Sequence, residues 1–123
     1  MSTPARQTAP HDLLIDTRLE KGAHRLLLRG ELDLASAWNL EEVVARLCIE
    51  GAREIVLDIG ALDFIDSTGL RAILTSRAVC AESNCALSLA PAPEQVPPQV
   101  RRLFQVTGLI ERLPFAAPLK PDA

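Results

Sequence analysis

The chain has 123 residues, of which 48% are hydrophobic and 24% charged, a one-domain length with enough apolar content for a core. Thirteen basic and 16 acidic side chains leave a net charge of -3, and the arginines are scattered along the sequence. This pattern argues against disorder and against direct binding of nucleic acid.

Residues 12–18 and 24–29 read as two short strands separated by a turn at Lys21-Gly22, which makes an antiparallel hairpin. After Gly30-Glu31-Leu32-Asp33, the side chains of Leu40, Val43, Val44, Leu47 and Cys48 fall on one stripe of a helix that ends at Gly51, with Ser36 as a fair N-cap. Residues 54–59 form a short buried strand. A second helix is expected over about 70–82, carrying Leu70, Ile73, Leu74 and Ala78, and residues 86–90 form another strand. Pro97-Pro98 opens a third helix with Val100, Leu103 and Phe104, which stops at Gly108 so that Leu109 packs back on Phe104. Residues 111–115 are expected as a last strand, at an edge because Pro114 has no N–H to donate. The order is β-β-α-β-α-β-α-β, with helices long enough to cross over between neighbouring parallel strands. One domain over residues 12–115 is expected, with residues 1–11 and 116–123 as disordered tails.

The run Ala61-Leu62-Asp63-Phe64-Ile65-Asp66-Ser67-Thr68-Gly69-Leu70 places a hydroxyl pair beside an acid where strand and loop give way to a helix. A helix start carries unpaired N–H groups and a partial positive charge, so Ser67 is placed either to cap the helix or to carry a phosphate there. Gly69 supplies backbone freedom or a close approach. On local composition alone, Asp66, Ser67 and Thr68 also read as ordinary cap and turn residues.

No apolar run approaches the ~20 residues of a membrane-spanning helix, and the N-terminus lacks the apolar stretch of a signal peptide. A cytoplasmic protein without a membrane partner is expected. Cys48 and Cys80 on apolar helix faces, and Cys85 at a strand entry, read as reduced, buried small hydrophobes. No paired-ligand spacing links them to His11 or His24, so no metal and no cofactor are expected. A hydrolase reading would need Ser67 with His24 or His11 as base. The glycine two residues before a nucleophile-elbow serine is missing, and no glycine-rich phosphate loop follows a strand, so the chain does not read as an enzyme.

Gly30-Glu31-Leu32-Asp33, Leu57-Asp58, Phe64-Ile65-Asp66-Ser67-Thr68-Gly69-Leu70 and the stretch from Val100 to Leu109 occur in the order and spacing of a known family. The chain resembles a STAS domain, and more narrowly it is similar to the bacterial anti-sigma factor antagonists. The resemblance implies an α/β fold, a mixed sheet with an N-terminal hairpin and helices packed against it. It also implies a protein that binds an anti-sigma factor, often an ATP-binding kinase, and so releases a sigma factor for transcription. In that family the serine after the aspartate of the turn motif, here Ser67, is phosphorylated by the kinase and dephosphorylated by a PP2C-type phosphatase.

By the same resemblance, Asp33 shares a surface with Ser67, and the partner-binding set is Asp33, Asp66, Ser67, Thr68, Gly69, Leu70 and Arg71. From the residues alone Asp33 is equally a turn acid before the first helix. Leu34 and Trp38, expected exposed or half exposed near that helix start, offer apolar contact area, with Trp38 assigned to packing rather than to a binding anchor. Many family members carry a further helix after the last strand, which residues 116–123, with two prolines, are not expected to form. Arg71 stands where a small residue is common and places a cation within a turn of Ser67. A monomer is the family expectation. The alternative within the fold is a STAS subunit of a lipid-transport or stress-signalling scaffold complex, working by protein binding without phosphorylation.

Overall fold

A computed structural model describes residues 12–115; the expected tails and His11 lie outside the described residues. Four strands form one sheet in the order β1-β2-β3-β4, with β1 Leu13–Glu20, β2 Ala23–Leu32, β3 Glu54–Ile65 and β4 Ala86–Ala90. β1 and β2 pair antiparallel, closing at Glu20 opposite Ala23. The two residues between them, Lys21 and Gly22, both have positive φ, 54° and 86°. Such a two-residue turn matches the twist of the flanking strands and favours a glycine second.

The parallel pairs β2·β3 and β3·β4 are bridged by α1 (Ala37–Ile49) and α2 (Ser67–Glu82), which pack on each other. Right-handed crossovers in one direction along a sheet put both helices on the same face. α3 (Pro98–Val106) packs against β3. The core is one cluster in which Leu26, Leu28, Ile55, Leu57, Ile59, Leu40, Val44, Ile73, Leu89 and Phe104 are fully buried. Fully burying such a side chain is worth about 1.5–3 kcal/mol.

Three expectations need correction. β3 continues beyond Ile59 to Ile65, because it takes up an extra residue between Asp58 and Ala61 and another between Leu62 and Phe64, and with these two bulges keeps pairing with β2 as far as Leu32 with Ile65. α2 begins at Ser67, not near Leu70, because Asp66 caps it. The last strand does not form over 111–115. A 3-10 turn at Leu109–Glu111 takes its place, with Arg112 N–H and Leu113 N–H both donating to the Leu109 carbonyl, and only Phe115 bridges Leu89. Helical hydrogen bonds occupy these backbone donors, and Pro114 has none to offer.

Candidate functional site

The ends of two parallel strands build the site. Leu32 and Ile65 are register partners, so the residues that follow them, Asp33 and Asp66, leave the sheet side by side. The carboxyl ends of parallel strands are where α/β sheets present ligand-binding loops. Asp66 N–H donates to the Leu32 carbonyl at 3.3 Å, tying the second loop to the first.

Asp66 is the N-cap of α2. Its Oδ1 accepts from Gly69 N–H at 2.8 Å, and its carbonyl accepts from Leu70 N–H at 2.9 Å. Ser67 is thus the first residue of a 16-residue helix, and it is exposed. Among the described residues its hydroxyl makes no hydrogen bond, so capping is the work of Asp66 and leaves Ser67 unengaged. Thr68 is half-buried, whereas Gly69 and Leu70 are buried and hold the helix start against β2. Arg71 is exposed, four residues after Ser67 and on the same helix face, and makes no ion pair among the described residues.

Asp33 organises its own loop. Its Oδ1 accepts from Ala35 N–H at 3.0 Å and from Ser36 N–H at 3.2 Å, while its carbonyl accepts from Ala37 N–H at 2.8 Å. Ser36 occupies the N-cap position of α1 without capping by its side chain. Its Oγ donates to the Glu31 carbonyl at 2.8 Å and accepts from Asp33 N–H at 3.0 Å. Asp33 therefore does act as the turn acid, with a half-buried side chain, in the loop that follows β2 beside the one that follows β3.

Trp38 corrects its expected packing role. It is 62% exposed, its indole N–H donates to the Ala35 carbonyl at 3.0 Å, and it lines a shallow hollow with Leu14 and Ala35. Leu34 is 76% exposed in the same loop. Phe64, at 44% exposure just before Ile65, was missed from sequence because alternation from Leu62 reads it as a core-facing residue. Leu32, whose carbonyl seats the α2 start, was also missed, because a backbone acceptor leaves no compositional signal.

The family profile described as "Mlab, STAS domain" matches residues 15–114. The chain belongs to the STAS domain family. One relative of this STAS domain is a Bordetella bronchiseptica protein named as an anti-sigma factor antagonist, BtrV, 34% identical over 72% of this chain and 73% of its own. The fold matches the crystal structure of an anti-sigma factor antagonist from Mycobacterium paratuberculosis, with TM-score 0.70 and 20% identity over 94% of this chain and 93% of that one. It also matches the Bacillus cell fate determinant SpoIIAA in its phosphorylated form, with TM-score 0.61 and 20% identity over 88% and 92%. Among the described residues no helix is long and apolar enough to cross a membrane.

Proposed function

We propose that this STAS domain is an anti-sigma factor antagonist. It binds an anti-sigma factor of the ATP-binding kinase type through the carboxyl ends of β2 and β3, releases a sigma factor, and is switched off by phosphorylation of Ser67. The observation that carries this reading is the exposed, unengaged Ser67 hydroxyl at the first position of α2, beside the Asp33 loop. The name borne by the Bordetella relative supports the partner class.

A phosphate on Ser67 adds about -1.5 to -2 charges and three acceptor oxygens at neutral pH. The helix dipole tolerates it and Arg71 lies within a turn, so the domain stays folded. Beside Asp66 and Asp33, the added charge makes the surface strongly acidic and spoils the fit of a partner shaped for the unmodified serine. A loss of about 3 kcal/mol weakens binding roughly 150-fold, enough for an off state. A PP2C-type phosphatase resets the switch. In this role the chain is a substrate of phosphate chemistry and not a catalyst of it.

The test is incubation with the ATP-binding anti-sigma factor of the same organism and ATP, followed by peptide mass spectrometry and binding measurements. The phosphate is expected on Ser67, with Ser67→Ala still binding and Ser67→Glu binding at least tenfold more weakly. No incorporation, together with binding unchanged by Ser67→Glu, would leave a STAS domain that works by protein binding without phosphorylation.

A further inference from the structure

Three cysteines far apart in sequence meet at the end of the molecule where α1 and α2 finish. Cys48 is the penultimate residue of α1, Cys80 lies in the last turn of α2, and Cys85 directly precedes β4. Their sulfurs all lie within 4.8 Å of one another, and Cys48 Sγ is 3.7 Å from Cys80 Sγ. The backbone presets the arrangement. Cys85 N–H donates to the Cys80 carbonyl at 2.8 Å, folding the Ser83-Asn84 turn back on α2, and Gly51 N–H donates to the Cys48 carbonyl at 3.0 Å.

From this geometry we infer that Cys48, Cys80 and Cys85 form a three-thiolate site for a single thiophilic d10 cation, of the class of Zn²⁺, Cd²⁺ or Cu⁺. Sulfurs bound at ~2.3 Å around a tetrahedral ion sit about 3.8 Å apart, which the Cys48–Cys80 pair already matches. The remaining separations close by less than about an ångström of side-chain adjustment, given sulfurs already within 4.8 Å. Soft thiolates select such ions over hard ones like Mg²⁺. Two helix C-termini converge on the cluster, and their partial negative charge favours a cation.

Packing alone does not require three thiols at this spacing. Burial pushes the thiols of Cys80 and Cys85 up, which disfavours bare thiolates and with them a reactive or oxidant-sensing role. A cation supplies the missing charge: each thiol gives its proton to solvent as its sulfur bonds the metal, and no electron changes hands. Entry is from the rim, where Cys48 is 9% exposed, while Cys80 is fully covered.

The experiment is anaerobic titration of the reduced, untagged full chain with Cd²⁺, reading the ultraviolet sulfur-to-metal charge-transfer band and the stoichiometry by native mass spectrometry. One ion per chain is expected, undisturbed by excess Mg²⁺, with affinity reduced at least tenfold in Cys48→Ala and in Cys85→Ala. These positions are chosen because Cys80→Ala opens a space in the core; circular dichroism checks that each variant is folded. No charge-transfer band, or a band unchanged in both folded variants, would overturn the site.

Discussion

Gly69 in α2 rests directly on the backbone of Leu32 at the end of β2. A β-carbon there would overlap the Leu32 carbonyl oxygen and lie 2.8 Å from its carbon. The close approach lets the start of α2, and Ser67 with it, sit beside the Asp33 loop.

Gly69→Ala is therefore expected to destabilise the domain by about 1–3 kcal/mol, the usual cost of overpacking. In an open helix the same change would stabilise by up to about 1 kcal/mol. The sign of the shift in urea midpoint decides the matter, and a gain in stability would refute the contact.

Asp66 combines a cap with a charge, and two substitutions separate them. Asp66→Ala loses the bond to Gly69 N–H and is expected to cost about 1 kcal/mol, whereas Asp66→Asn keeps a capping oxygen and costs little. If the proposed partner surface is right, Asp66→Asn alters affinity for the anti-sigma factor at nearly unchanged stability. Titration calorimetry beside urea melts reads both effects.

Much of this was legible in the chain. The hairpin turn at Lys21-Gly22, the stripe of α1 through Leu40, Val44 and Leu47, and the placement of Ser67 at a helix start all follow from local periodicity and turn chemistry. What was not legible depends on pairing between distant segments. Residues 60–65 extend β3 because two bulges in β3 keep it in register with β2 as far as Leu32. The meeting of Cys48, Cys80 and Cys85 depends on how two helix ends and a strand converge, for which their sequence spacing gives no signal.

Trp38 and Leu34 stand out of the core beside the Asp33 turn, so truncation should spare the fold. Trp38→Ala is expected to lower the melting temperature by no more than a few degrees while weakening the proposed partner at least tenfold, as exposed tryptophans at binding surfaces do. Equal affinity of Trp38→Ala and the parent chain would remove Trp38 from the partner surface.

Ser76 is the one buried polar side chain among the described residues whose hydroxyl lacks a hydrogen-bond partner. An unpaired buried polar group costs about 1–3 kcal/mol, so Ser76→Ala is expected to stabilise by about 1 kcal/mol and raise the melting temperature. A loss of stability on this substitution would show that the hydroxyl is engaged in the folded protein.

Stability should fall in alkaline solution, and the thiol cluster sets where. Burial, reinforced by the neighbouring Cys48 and Cys85 thiols, pushes the Cys80 thiol up, and burial does the same for Cys85 against the opposing hydrogen bond with Cys80. In the unfolded chain these thiols ionise near pH ~8.5, while in the folded protein burial moves their ionisation to higher pH. Above that pH the unfolded state binds fewer protons than the folded one, so the stabilisation is complete below about pH 8.5 and is lost as pH rises through the alkaline range. The slope reaches at most about 1.4 kcal/mol per pH unit for each thiol. The chain contains no tyrosine to blur the signal. Urea unfolding from pH 7.5 to 9.5, with reductant and chelator present, should show this decline, and Cys80→Ala should be less stable at neutral pH but flatter with pH. Parallel slopes in the two proteins would exclude Cys80 as the source.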